Sequence, residues 1–239
     1  MLKLSRRLKA IADFIQKGES IADIGTDHAL LPIYLWQKGI CPRVILSDVK
    51  WGPINKARKN IARYAPKIEF DIRVGDGLSI IEAEEVDAVI LAGMGGLVII
   101  NILKADMTKT KSIKKLVFQP RKNKELLGKW LLDNSFAIVD EALVKEGRNI
   151  CEILVAIPIP IGESQKYFKL YDSYYNSEIS PILLGKEDPL LPEFISRKIL
   201  IEQKIGENLH KACNSSINKA KLNEVENRLI RLKGFLKSQ

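Results

Sequence analysis

A chain of 239 residues, 46% of them apolar and with a formal net charge of +9, can build one full α/β domain plus a smaller appendage. Its three cysteines, Cys41, Cys151 and Cys213, are widely spaced and form no C-x-x-C pair, which argues against a disulfide framework or a zinc site. No signal-peptide core and no apolar run of membrane-spanning length occurs, so a soluble cytoplasmic protein without membrane or metal is expected.

Residues 2 to 17 place Leu4, Leu8, Ile11, Ala12 and Ile15 at helical spacing, and Arg6, Arg7 and Lys9 between them predict a basic outer face. Gly18 ends that helix. A strand over 20–24 then runs into Asp23-Ile24-Gly25-Thr26-Asp27-His28-Ala29, followed by a helix over 28–38. Strand, tight turn and helix open a nucleotide-binding α/β unit. Only Gly25 answers the G-x-G-x-x-G pattern of dinucleotide sites, and Asp23 and Asp27 would repel a pyrophosphate. A cationic ligand suits this loop better, and S-adenosylmethionine carries a sulfonium and an ammonium group without a phosphate.

A second strand, 43–48, ends in Asp48 about twenty residues beyond Gly25, the spacing at which an acid reaches a ribose in this fold. Capping the helix that begins near Gly52-Pro53 is a compatible second role. That helix, 52–65, begins the second of three basic clusters: Lys3, Arg6, Arg7 and Lys9; Lys56, Arg58, Lys59, Arg63 and Lys67; and the run from Lys109 to Lys124. Each alone reads as a solvated face. Together they point to a polyanion, RNA rather than a membrane, because none adjoins a strongly apolar helix face.

The third strand, 68–74, runs into Gly75-Asp76-Gly77-Leu78, which fits a loop over a ligand with Asp76 accepting from an adenine amino group; a surface Asx-turn would look the same. The buried fourth strand, 86–92, ends in Gly93-Met94-Gly95-Gly96, where close helix–strand packing explains one or two glycines and a near ligand the rest. After a helix over 97–107, the strand 115–120 ends in Gln119-Pro120, which presents an amide to a substrate base or simply ends the strand. Helix 123–134 and a hairpin of strands near 136–145 and 150–158 complete a seven-stranded sheet.

Beyond Pro158 and Pro160 the composition shifts. Tyr167, Phe168, Tyr171, Tyr174 and Tyr175 form an aromatic helical patch, and Leu222, Val225, Leu229, Leu232 and Leu236 recur with coiled-coil spacing. Asn214-Ser215-Ser216 interrupts them, predicting two helices folded back as an antiparallel hairpin; one long dimerising helix is the rival. The division is a catalytic domain over 1–160 and a helical C-terminal domain over 161–239.

The series Asp-Ile-Gly-Thr-Asp-His-Ala at 23–29, Ser-Asp-Val at 47–49, Gly-Asp-Gly-Leu at 75–78, Ala-Gly-Met-Gly-Gly at 92–96 and Gln-Pro at 119–120 resembles the bacterial tRNA (adenine-22-N1)-methyltransferases. The likeness runs through residues 1–158 and extends to the helical end; Leu30, where an aromatic residue is expected, departs from it. It implies a Rossmann-like class I fold, seven strands with helices on both faces, that uses S-adenosylmethionine to methylate N1 of adenine 22 in the tRNA D-arm.

On that resemblance Gly25, Thr26 and His28 line the methionine end of the cofactor, and Asp23 is a further cofactor-binding residue. Asp48 holds the ribose, with Val49 a further cofactor-binding residue, Asp76 and Gly77 meet the adenine, and Gly93 and Met94 border the methyl-transfer site. Asp27 is the candidate catalytic carboxylate, and Gln119, Pro120 and Arg121 are the candidate substrate contacts. A monomer bound to tRNA is expected. The chemistry is self-consistent, because adenine N1 has an in-plane lone pair and loses no proton before attack, so alignment is the enzyme's main task. The sequence also lacks the Asp/Asn-Pro-Pro-aromatic motif of exocyclic-amino methyltransferases, which favours a ring nitrogen. Rival readings are a methyltransferase acting on another RNA or a small molecule, and a non-catalytic RNA-binding Rossmann-like protein.

Overall fold

The computed structural model describes residues 2–160, 178–211 and 216–237, with nothing stated of side chains at 216–218. The chain divides into two compact units, Met1–Tyr167 and Phe168–Gln239. The first is built on seven strands: β1 (Ile21–Ile24), β2 (Val44–Asp48), β3 (Asp71–Val74), β4 (Ala88–Gly95), β5 (Lys115–Lys122), β6 (Phe136–Glu146) and β7 (Asn149–Pro158). Their order in the sheet is β3-β2-β1-β4-β5-β7-β6, parallel except for β7, which runs antiparallel to both of its neighbours.

This topology follows from the sequence pattern. Ile21, Ala22, Ile24, Val89, Ile90, Leu91, Leu116, Val117 and Phe118 are all buried, which is what strands covered on both faces require. Chain order reverses between β1 and β4, so the segments leaving their carboxyl ends diverge and open a crevice there. The β6–β7 turn is tight: Glu146 pairs with Asn149 across Gly147 and Arg148, and Gly147 has φ +61°. The expected hairpin is present.

The helices are α1 (Arg6–Ala12), α2 (Leu30–Gln37), α3 (Trp51–Tyr64), α4 (Gly96–Lys104), α5 (Met107–Ser112) and α6 (Lys124–Asp133), with a 3₁₀ turn at Gly77–Ile80. The first is shorter than the periodicity over 2–17 predicts. Ser5 caps it by accepting from the Leu8 amide, and the chain leaves the helical path at Asp13. Helix α5 was not foreseen; Asp106 caps it, accepting from the Lys109 amide, and so separates it from α4. The third strand begins only at Asp71.

Two basic clusters need correction. Arg7 does not lie on a solvated outer face: its Nε donates to Glu146 Oε2 at 2.8 Å and its NH1 to Gln119 Oε1 at 3.1 Å. The run from Lys109 to Lys124 is only partly available, since several of its lysines are engaged within the fold while Lys111, Arg121 and Lys122 remain exposed. Lys114 pairs with Asp87 at 2.7 Å, Lys115 with Glu19 at 2.6 Å, and Lys124 with Glu141 at 2.8 Å. The Glu141 side chain is only 1% exposed, so Lys124 is there to neutralise a buried charge rather than to meet a partner. Counting lysines overstated the basic surface.

In the second unit a short helix α7 (Pro181–Gly185) precedes two long ones, α8 (Leu191–Lys211) and α9 (Ser216–Lys237). Arg228 of α9 pairs with Glu202 of α8 at 3.0 Å, and Gly206 lies against Val225. As one number rises the other falls, so the two helices run antiparallel, as the break at Asn214-Ser215-Ser216 predicted. Val225 and Leu232 are buried, whereas Leu236 is partly exposed. The aromatic patch from Tyr167 to Tyr175, together with Asn214 and Ser215, lies outside the described residues. No helix among them is long and apolar enough to cross a membrane.

Candidate active site

The loop after β1 is shaped by two conformations and one close approach. Gly25 has φ +79°, and its amide and that of Thr26 both donate to the Ser47 carbonyl at 2.8 Å. A Cβ on Gly25 would stand 2.2 Å from Met94 Cε, so the ends of β1 and β4 meet over this glycine. Ala29 then takes the left-handed conformation, φ 55°, to launch α2. Because Ala29 is the cap, neither Asp27 nor His28 is used to start the helix. Both are exposed, with Asp27 Oδ2 3.0 Å from His28 Nε2 and Asp27 Oδ1 accepting from Lys56 Nζ at 2.9 Å. Asn60 steadies the turn from α3 by donating to the His28 carbonyl at 2.9 Å.

Asp23 is the buried carboxylate of the site, 8% exposed. Burial pushes its pKa up to about 6, opposed by a hydrogen bond from Thr26 and the positive charge of Arg7, and reinforced by the negative charge of Asp48. A carboxylate held in that state is a ready partner for a cation. Neutralisation from Arg7 was not legible in the sequence, because α1 and Asp23 are joined only by the fold.

The remaining acids stand free for a ligand. Asp48 accepts from the Lys50 amide at 2.8 Å through Oδ1, while Oδ2 has no partner among the described residues. It does not cap α3, whose cap position is Lys50 without a side-chain bond. Asp76 is exposed, and its carboxylate has no hydrogen bond among the described residues, so the Asx-turn alternative is not what forms. Val49 is 58% exposed beside Asp48. Gly77 has φ +52° and packs on Ile102, where a Cβ would come within 2.8 Å.

The glycine-rich segment after Ala92 is no separate turn, because β4 continues through an irregular register to Gly95 and α4 starts at Gly96, and its glycines divide their labour. Gly93 has φ +78° and nothing within 4 Å of where a Cβ would be, leaving room for a ligand. Gly96 is structural: a Cβ there would stand 2.3 Å from the Asn123 carbonyl oxygen. Backbone cannot yield as a flexible side chain can, so Gly96→Ala is expected to lower the melting temperature by about 3–10 °C, from an overpacking cost of about 1–3 kcal/mol. An unchanged thermal scan would show that α4 can shift freely away from the 122–123 segment.

At the end of β5 the predicted substrate contacts separate. Gln119 is 3% exposed and its amide is committed, Oε1 accepting from Arg7 and Nε2 donating to the Pro120 carbonyl at 3.1 Å. Pro120 is buried, whereas Arg121 is exposed. Sequence reasoning missed Arg7, Ser47, Lys56 and Glu146, whose side chains or carbonyls hold the predicted residues in place. Only the Lys56–Asp27 pair had a signal, in that a lysine faces outward from the helix following β2.

The site fits S-adenosylmethionine on its own features: a buried carboxylate, two carboxylates with unused oxygens, and a glycine-rich segment with open space. A phosphate-bearing cofactor would meet those same acids without a compensating cation loop. Among the described residues no cluster of three or more potential ligands could hold a metal ion.

Comparison with known proteins agrees with this geometry. Residues 4–154 match the family model described as a methyltransferase domain. The tRNA (adenine(22)-N(1))-methyltransferase of Bacillus subtilis is 31% identical over 232 residues, 97% of this chain and 96% of that protein. The crystal structure of the B. subtilis M1A22 tRNA methyltransferase superposes with a TM-score of 0.83 at 30% identity, covering 99% of this chain and 100% of that one. A Streptococcus pneumoniae protein, a candidate tRNA (m1A22) methyltransferase solved with S-adenosyl-L-methionine, gives 0.76 at 28% identity, covering 98% and 100%. Sheet order, glycine turns and full-length likeness converge: this chain belongs to the tRNA (adenine(22)-N(1))-methyltransferase family.

Proposed function

We propose that this protein is a cytoplasmic, monomeric enzyme that methylates N1 of adenine 22 in the tRNA D-arm, with residues 1–160 as catalytic domain and 161–239 as helical domain. The observation that carries the reading is the set of acids at the carboxyl ends of the neighbouring strands β1, β2 and β3: buried Asp23, and Asp48 and Asp76 with carboxylate oxygens left unpaired. When bound there, S-adenosylmethionine supplies an electrophilic methyl group. Asp23 and Thr26, with Gly25 and His28 beside them, hold its amino-acid end. Asp48 accepts from the ribose hydroxyls, with Val49 alongside, and Asp76 with Gly77 accepts from the adenine amino group. Gly93 and Met94 border the place where the target base arrives.

Asp27 stands at the mouth of this site on an exposed turn, held by Lys56 and His28. Methylation makes the target base cationic. The Asp27 carboxylate accepts from the N6 amino group and stabilises that charge, or takes the proton afterwards. Of the 119–121 segment, exposed Arg121 meets the RNA, with Gln119 and Pro120 buried behind it. N1 is commonly paired or stacked in a folded D-arm, so the base must be exposed or flipped at a cost of a few kcal/mol.

The test is methyl transfer from labelled S-adenosylmethionine to bacterial tRNA lacking 1-methyladenine, followed by digestion and nucleoside analysis. A 1-methyladenosine peak mapping to position 22 is expected. Cofactor binding without incorporation would transfer the protein to another substrate.

A further inference from the structure

The outward side of α3 carries Lys56, Arg58, Lys59 and Arg63, and the helix contains no acid at all. Its apolar positions Ile54, Ala57 and Ile61 are buried in the domain. A helix start usually gathers acids against the positive end of its macrodipole; here Lys50 takes the cap position instead. Asp48 stands at the start of α3, accepting from the Lys50 amide, and Asp27 pairs with Lys56, so the positive charge free to attract an anion is that of Arg58, Lys59 and Arg63 on the outward side.

Trp51 opens this helix with 59% of its surface exposed, while Trp36 and Trp130 are half-buried. Single exposed apolar residues are ordinary, but tryptophan forfeits the most by staying in water. This one lies with the Arg58 guanidinium 5.8 Å from its ring centroid, two turns further along the helix. The same helix reaches the reaction site, since Lys56 Nζ is 2.9 Å from Asp27 Oδ1. An exposed aromatic ring, a planar cation and a run of lysine and arginine, continuous with the catalytic turn, is the composition that binds single-stranded nucleic acid.

We infer that Trp51, backed by Arg58, is a stacking platform for an unpaired base of the tRNA substrate, with Lys50, Lys59 and Arg63 meeting the flanking phosphates. The inference rests on the functional reading above. A membrane does not fit, because the apolar side of α3 is turned inward and leaves Trp51 alone to insert. Every base has a π-face, so the platform contributes to affinity and orientation and not to the choice of nucleotide. It gives the RNA a second fixed point beside the target adenine, as alignment of a flipped base requires.

The two parts of the platform separate experimentally. Binding of an unmodified tRNA transcript is measured across a salt series for the full-length wild type, Trp51→Ala, Trp51→Phe and the double variant Lys59→Gln/Arg63→Gln, alongside S-adenosylmethionine binding. Trp51→Ala is expected to weaken tRNA binding roughly 5- to 100-fold at every salt concentration, with the salt slope kept, and Trp51→Phe to restore most of the loss. The charge variant is expected to flatten the slope by about one for each phosphate contact removed. Cofactor affinity stays as in the wild type throughout. Unchanged tRNA affinity in Trp51→Ala overturns the platform, and a parallel fall in cofactor affinity overturns it in favour of a cofactor-site role. A wild-type protein that binds cofactor but no tRNA overturns the functional reading itself, which distinguishes the two failures.

Discussion

Asp27→Ala is expected to lower turnover roughly 10²- to 10⁴-fold, the range spanned by a positioned proton acceptor, while cofactor affinity changes little. The reason is position. Asp27 lies on the exposed turn between β1 and α2, outside the buried pair of Asp23 and Thr26. Removing its carboxylate frees Lys56 and His28, both largely solvated, so the fold loses at most about 1 kcal/mol. Single-turnover methylation of tRNA with the variant, beside a cofactor titration and a thermal scan, makes the measurement. Asp27→Asn refines it: an amide still accepts from N6 but takes up no proton. Activity kept in Asn and lost in Ala makes Asp27 a hydrogen-bonding group; loss in both assigns its role to the carboxylate's negative charge, as electrostatic partner of the cationic base or as proton acceptor. Wild-type turnover in Ala removes it from the mechanism.

Asp23→Asn is expected to act oppositely on stability and on binding. The buried carboxyl holds its proton up to about pH 6, against 3.8 for the ordinary group. The folded state thus binds the proton more tightly than the unfolded state. Its favourable contribution is complete below pH 3.8 and is lost as pH rises through 6, leaving a charged buried group that costs on the order of 3 kcal/mol. Asparagine keeps an acceptor for Thr26 without the charge. The ligand-free variant should therefore melt higher than wild type at pH 8, by about 5–10 °C, and nearly with it at pH 4.

Cofactor binding should suffer. Losing a charged hydrogen bond to the ammonium group is worth about 1.5–3 kcal/mol, roughly 10- to 100-fold in affinity. Wild-type affinity should itself decline as pH falls through 6, and that dependence should vanish in the variant. Arg7, Thr26 and Asp48 are the charged and hydrogen-bonding groups that set this window. A variant that melts like wild type at pH 8 and binds cofactor equally well would show that Asp23 is neither strained nor a ligand contact.

The strands were legible in the sequence because β-branched and leucine runs ending in acids or glycines have few alternatives to a parallel sheet buried on both faces. The same runs located the site, since Asp23, Asp48, Asp76 and Gly93 all lie at or just beyond the carboxyl-terminal ends of β1 to β4. The β6–β7 hairpin was legible from Gly147. Helix lengths were less so: α1 stops at Ala12 although its apolar period continues, and a single cap at Asp106 divides α4 from α5.

What the sequence by itself determined is therefore the order of elements and the residues at their ends, which depend on local periodicity and on backbone freedom at a few glycines. Partnership was decided only by tertiary structure. Arg7, 112 residues from Gln119 and 139 from Glu146, reads as a solvated cation until the fold places it beneath the switch point. Lys115 and Lys124 read as surface for RNA until Glu19 and Glu141 are brought against them. Charge is a property of a residue, but whether that charge faces solvent, a ligand or a buried partner depends on elements distant in the chain.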